Sequence, residues 1–214
     1  VDIIKPRRNA LLGKRDRIFD EIEAAIDAPA SLLDIGCGSD SPVQFLHTRP
    51  PRLVGVDGFM PSIEKSRARN IHDGYVCIDL DNLGDAVEAN SFDCVLAIDV
   101  IEHFEKEQGL ALIRNMEKIA KRRVVLLTPN GFLPQEAHSG NPYQEHRSGW
   151  SVQEMRSMGF EVIGVNGWKP LLGQFAQPRF WPAPLWRVLS RLSQPLIRNR
   201  PEHAFHLLCV KKLG

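Results

Sequence analysis

Few folds accommodate an apolar run that ends in two closely spaced glycines, as Leu32-Leu33-Asp34-Ile35-Gly36-Cys37-Gly38 does. Leu32, Leu33 and Ile35 suit a central parallel strand, which is covered on both faces and lacks apolar/polar alternation. Gly36 and Gly38 have no Cβ, so the backbone can turn sharply there and pass close to a ligand. Ser41-Pro42 follows, and proline is well tolerated in a first helical turn, so a helix is expected to start there. Strand, glycine turn and helix N-terminus outline a nucleotide-cofactor site. The dinucleotide pattern G-x-G-x-x-G fails at its third glycine, which is Ser41, and G-x-x-x-x-G-K-[ST] is absent. Asp34, just before the turn, puts a carboxylate where a ligand ammonium could sit.

The 214 residues suit one domain, 1–214, with one large core. A net charge of +1 leaves no global footprint for nucleic acid, and none is expected as a partner. The four cysteines form no C-x-x-C pair, so neither a zinc site nor a disulfide framework is expected, and no other metal cluster stands out. Cys77, Cys94 and Cys209 lie in apolar runs and read as small core residues. The opening Val-Asp-Ile-Ile-Lys-Pro-Arg-Arg has no apolar core of a signal peptide, and no run nears the ~20 apolar residues of a spanning helix. These features fit a cytoplasmic location.

In chain order, 9–27 reads as an amphipathic helix through Leu11, Leu12, Ile18, Ile22 and Ile26. A second strand, 52–57, ends in Asp57-Gly58, with Asp57 lying 21 residues after Gly36. A carboxylate at that distance can accept two hydrogen bonds from ribose hydroxyls; the plainer alternative is a helix cap. A helix at 61–69 carries basic residues outward. A third strand covers 74–79, with Leu80 next, and a fourth covers 92–99 and runs into Val100-Ile101-Glu102-His103. In an open α/β sheet the carboxyl ends of the strands line the ligand crevice, so Asp34, Asp57, Asp79 and Asp99 are expected at one edge, with Ile98 beside them. A helix at 106–121, a strand at 123–128 and a long Gly/Pro/Asn/His loop at 132–150 follow. Loops of that length are commonly functional, and His138, Tyr143, His146 and Trp150 lie on it. Ser151-Val152-Gln153-Glu154 is a capping box that starts a helix at Val152, and Gly159 stops it. Strands at 160–165 and 204–211 close the chain.

Leu-Leu-Asp-Ile-Gly-Cys-Gly and Ser-Phe-Asp-Cys-Val-Leu-Ala-Ile-Asp-Val-Ile-Glu-His resemble motifs of the class I S-adenosylmethionine-dependent methyltransferases, of the small-molecule kind typified by methyltransferase types 11, 12 and 23. The resemblance implies a doubly wound, Rossmann-like sheet of seven mostly parallel strands with an antiparallel last strand. It implies S-adenosylmethionine as cofactor, held by Asp34, Gly36, Cys37, Gly38, Asp57, Gly58, Asp79, Leu80, Ile98 and Asp99. Asp79 would lie near the adenine amino group, with Leu80 on the ring; Asp81 is the competing candidate. A hydroxyl acceptor would need a base, and His103, then His146, then His138 are the candidates, against a purely structural role for His103. The Asn/Asp-Pro-Pro-Tyr sequence of enzymes that methylate amino groups on bases is missing after the fourth strand.

The last two strands of that fold form a close pair, yet 167–203 separates them here. This insertion has no acidic residue before Glu202, carries Lys169, Arg179, Arg187, Arg191, Arg198 and Arg200, and is rich in Trp and Phe, including Phe175. Pro184 to Gln194 fits an amphipathic helix with Leu185, Val188, Leu189 and Leu192 on one face and Arg187, Arg191 and Gln194 on the other. Residues 168–201 are expected to form a lid or homodimer contact, or to lie on an anionic membrane surface at its inner face. The insertion resembles that of bacterial methyltransferases of cell-surface glycans, which implies a hydroxyl of a cell-surface or lipid-linked sugar as acceptor. A natural-product hydroxyl or carboxyl is the alternative. A cofactor-binding protein without catalysis, or a nicotinamide oxidoreductase, would be distinguished by cofactor binding.

Overall fold

The computed structural model describes residues 17–136, 141–172 and 179–214. Among these described residues there are seven strands: β1 (Ser31–Ile35), β2 (Arg52–Asp57), β3 (Gly74–Cys77), β4 (Phe92–Ile98), β5 (Ala120–Pro129), β6 (Glu161–Trp168) and β7 (Ala204–Lys212). They form one sheet in the order β3-β2-β1-β4-β5-β7-β6. The helices are α1 (Arg17–Ile26), α2 (Met60–Ala68), α3 (Leu83–Ala86), α4 (Lys106–Ile119), α5 (Val152–Ser157) and α6 (Ala183–Arg198). This is the expected class I arrangement, with β7 antiparallel to β6. By compactness the chain divides into two units. The first runs to Ile98 and includes Asn115–Val124 and Leu213–Gly214; the second comprises Asp99–Arg114 and Val125–Lys212.

In the first unit, β1 pairs in parallel with β2 on one side and β4 on the other, and β2 pairs in parallel with β3. Every residue of β1 is buried, as an apolar run between two strands requires. α1 buries Ile18, Ile22 and Ile26, the described part of the stripe read from the sequence, together with Phe19 and Ala25; Leu11 and Leu12 lie outside the described residues. Two expectations are corrected here. The glycine turn leads into a single 3-10 turn, Pro42–Phe45, capped by Ser41, rather than an α-helix. β3 stops at Cys77, which is exposed, whereas Cys94 is buried. β3 is the edge strand, so one of its sides has no neighbour to cover Cys77.

In the second unit, β6 and β7 pair from Glu161↔Val210 to Trp168↔Ala204, with an irregularity between Val165 and Trp168. α5 starts at Val152 under the full capping box: Glu154 N donates to Ser151 Oγ at 3.2 Å and Ser151 N to Glu154 Oε2 at 2.8 Å. Trp150 of the long loop is fully buried, with the Lys106 ammonium 3.8 Å from its ring centre, so it is a core residue rather than a contact for an acceptor. α6 is longer than expected and is turned opposite to the usual amphipathic sense. Its small and polar residues face β6: Gln194 Nε2 donates to Gly164 O at 2.8 Å, Gly167 N donates to Gln194 Oε1 at 3.1 Å, and Trp168 N donates to Ser193 Oγ at 3.1 Å. Leu185, Val188, Leu189, Leu192 and Leu196 of α6 point to solvent. Among the described residues, no helix is long and apolar enough to cross a membrane.

Candidate functional site

The glycine turn of the first unit is built as the sequence requires. Gly36 and Gly38 have φ of 64° and 56°, where a side chain costs roughly 1–2 kcal/mol per residue. Between them Cys37 N donates to Val56 O at 3.0 Å, which fixes the turn on β2. Asp57, at the end of β2, clamps the turn from the other side. Its Oδ2 accepts from Gly38 N at 2.8 Å and its Oδ1 from Phe59 N at 2.8 Å, the latter being the cap-like bond of the plainer reading. Burial pushes the Asp57 carboxyl above its usual range, and these two amides pull against that rise. Each carboxylate oxygen offers two acceptor sites, so a ribose diol still has acceptors there. Open left-handed glycines beside a carboxylate with spare lone pairs fit S-adenosylmethionine.

Asp34 has a different setting. Its Oδ2 accepts from Ser41 Oγ at 2.5 Å and lies 2.8 Å from His72 Nε2, all three side chains being buried. His72 N donates to the Tyr75 hydroxyl at 3.2 Å, and that hydroxyl lies 2.9 Å from Ser66 Oγ. Oδ2 of Asp34 is thus committed to a buried network that braces the loop from below. Gly55 completes this floor: a Cβ there would lie 2.8 Å from Cys37 Sγ and 3.1 Å from the His72 ring. Neither His72 nor Gly55 was picked out from the sequence, because their relation to the loop exists only across neighbouring strands. Asp79 caps the turn Leu80–Asn82 by accepting from Asp81 N at 3.1 Å. Asp79 is exposed and Leu80 buried, while Gly58 is half-buried and Ile98 buried.

The second unit gathers another group. Asp99 directly follows β4 with φ of 51°, is buried, and donates its own N–H to Leu127 O at 2.9 Å. Its Oδ1 has no hydrogen-bond partner and lies 3.6 Å from His206 Nε2. Burial pushes Asp99 up to about 7 and His206 down to about 3, so both are held towards their neutral forms. Glu102, also buried, accepts from Thr128 Oγ1 at 3.1 Å through Oε2, while Oε1 has no partner. Burial, then the neighbouring Asp99, push its carboxyl up.

The backbone carbonyl of Glu102 accepts from Arg147 N at 2.8 Å and Ser148 N at 3.0 Å, which pins the long loop beside it. His103 Nδ1 lies 3.0 Å from Glu145 O, and His146 Nδ1 lies 2.7 Å from Leu133 O. A carbonyl only accepts, so each Nδ1 carries the proton and each Nε2 keeps a lone pair. The rings meet edge to face at 4.8 Å. Burial pushes His103 down to about 4 and also lowers His146. A base works best near the ambient pH, so His103 offers a neutral donor atom but is a weak proton acceptor. His138 lies outside the described residues. One carboxylate oxygen of Glu102 and one ring nitrogen from each of His103 and His146 lie within 4.8 Å of one another. This grouping differs from the sequence expectation of no metal cluster; the Glu102-His103 doublet was its only local signal.

Residues 33–133 match the family described as a methyltransferase domain. A methyltransferase from Archaeoglobus fulgidus, described as SAM dependent, has a similar structure at 15% identity, covering 91% of this chain and 94% of that one, with a TM-score of 0.57. An S-adenosylmethionine-dependent methyltransferase from Mesorhizobium loti is 16% identical over 92% and 96%, with a TM-score of 0.55. Magnesium protoporphyrin IX methyltransferase from Synechocystis, solved with bound SAM, is 16% identical over 91% and 78%, with a TM-score of 0.53. At such identities the likeness is one of fold. No curated protein matches the chain. The matched residues span the glycine turn and the fourth strand, and the sheet order around them is the class I methyltransferase arrangement.

Proposed function

We propose that this enzyme methylates a hydroxyl oxygen of a sugar carried on a lipid, and that it works at an anionic membrane surface. The observation that carries this reading is the outward apolar face of α6. Leu185, Val188, Leu189, Leu192 and Leu196 recur at helical spacing on one exposed face, with Leu196 73% and the nearby Trp181 90% exposed. Fully burying one such aliphatic side chain is worth about 1.5–3 kcal/mol, so a row of them favours an apolar medium. Between Glu161 and Glu202 the chain has six basic residues and no acidic one, which suits anionic headgroups.

S-adenosylmethionine supplies a methyl already activated by a sulfonium, so the protein's share is chiefly positioning. Gly36, Cys37 and Gly38 would form the cofactor's backbone cradle, and Asp57 would accept from its ribose. Asp34 would act through the loop it braces with Ser41 and His72. Glu102, His103 and His146 would receive the acceptor oxygen.

Sedimentation with vesicles tests the membrane half of this reading. The protein should pellet with phosphatidylglycerol vesicles and not with phosphatidylcholine, and Leu192→Glu/Leu196→Glu should abolish pelleting. Methylation of a polyprenyl-linked sugar in such vesicles, exceeding that of the same sugar free in solution, tests the acceptor. Equal recovery of wild type and variant from anionic vesicles would end the membrane assignment.

A further inference from the structure

We propose that Glu102, His103 and His146 form a binding site for a first-row divalent transition ion. The three residues come from two places: the turn after β4 supplies Glu102 and His103, and the loop before α5 supplies His146. Three independent features point to a cation there.

First, a carboxylate oxygen and two ring nitrogens lie within 4.8 Å of one another, close enough for small adjustments to put all three on one ion. Second, both imidazoles are oriented as ligands are. Each donates Nδ1–H to a backbone carbonyl, Glu145 O for His103 and Leu133 O for His146, which makes Nε2 the unprotonated nitrogen of the neutral ring. Third, a buried oxygen is left without a donor. Glu102 is 1% exposed, and its Oε1 has no hydrogen-bond partner while Thr128 holds Oε2. A buried carboxylate oxygen without a donor is costly, and a cation removes that cost.

The donor set selects the ion class. Calcium and magnesium take shells of oxygen, whereas two imidazoles with one carboxylate suit manganese, cobalt or zinc, leaving further positions open. Under the proposed function, which this inference deepens, those open positions would take the acceptor hydroxyl. An imidazole whose Nε2 holds the ion takes no proton from the acceptor, so His103 would be a ligand rather than the base expected from the sequence.

Protein stripped with a chelator should bind one equivalent of Co2+, Mn2+ or Zn2+ by calorimetry, with Mg2+ and Ca2+ failing to compete at equal concentration. Bound Co2+ should show visible bands that change in His146→Gln. Affinity should fall at least tenfold in His103→Gln, His146→Gln and Glu102→Gln. His103 is half-buried, so its variant keeps the test open if Glu102→Gln does not fold. Near-ultraviolet dichroism and retained S-adenosylhomocysteine binding serve as fold controls. Absence of saturable binding to folded wild type at millimolar ion would overturn the site, as would equal affinity in folded His103→Gln. Vesicle binding and methylation of the lipid-linked sugar are scored separately, so the acceptor reading stands or falls on its own.

Discussion

Asp57→Asn separates a loop clamp from a cofactor ligand. The substitution keeps the shape and replaces one acceptor oxygen with an amide NH2. Whichever way the amide turns, either Gly38 N or Phe59 N, each now bonded at 2.8 Å, must face a donor. Losing a hydrogen bond to a charged group costs roughly 1.5–3 kcal/mol. Stability recovers part of that, because burial already disfavours the charged carboxylate. The net loss in unfolding free energy should therefore be under about 2 kcal/mol by urea denaturation. Cofactor binding has no such offset, since the ribose loses a charged acceptor and the turn loses its clamp. At about 1.4 kcal/mol per factor of ten, S-adenosylhomocysteine affinity should fall roughly 10- to 150-fold by calorimetry. A dissociation constant within twofold of wild type, in a folded variant, would remove Asp57 from the cofactor site and leave it only the cap.

Gly55→Ala should destabilise the protein by about 1–3 kcal/mol in urea, because the new Cβ would lie 2.8 Å from Cys37 Sγ in a packed floor; an unchanged midpoint would mean that the floor yields. Of the four thiols, Cys77 alone is exposed, and burial pushes the other three up, Cys94 to about 12. A thiol reagent at pH 8 should therefore titrate one cysteine in the folded protein and four in denaturant. His206 is held down to about 3 against an ordinary 6.5. As pH falls from 6.5 towards 3 the unfolded chain takes up a proton that the folded one refuses, so this residue's contribution to stability declines, by up to about 1.4 kcal/mol per pH unit. Asp99, raised to about 7, works in the opposite sense, favouring the folded state as pH falls from 7 towards 4. His206→Gln should thus lose less stability than wild type on acidification, and parallel pH profiles would count against the assignment.

Much of the framework could be read locally. β1 announced itself by Leu32, Leu33 and Ile35 before two glycines, and the structure buries all of it. The capping box at Ser151 needed only four residues and starts α5 where expected. β3 shows where such reading stops. Tyr75-Val76-Cys77-Ile78 looks apolar throughout, yet an edge position leaves Cys77 in solvent, and sheet order is not a local property. α6 makes the same point more strongly. Its apolar stripe was correctly placed at 185, 188, 189 and 192, and periodicity would ordinarily send such a stripe inward. Gln194 and Ser193 instead hold β6, and the leucines are left outside.

What the amino-acid order determined alone was therefore the main elements and the residues at their ends: a strand, a glycine turn, and Asp57 closing the next strand. These depend on propensity, turn sterics and periodicity, which act over a few residues. What only the tertiary structure decided was partnership. His72 meets Asp34 across 38 residues, and His146 joins Glu102 and His103 from 43 residues beyond His103. Such pairings are chosen when distant segments compete to satisfy buried polar groups, and no short window of sequence contains both competitors.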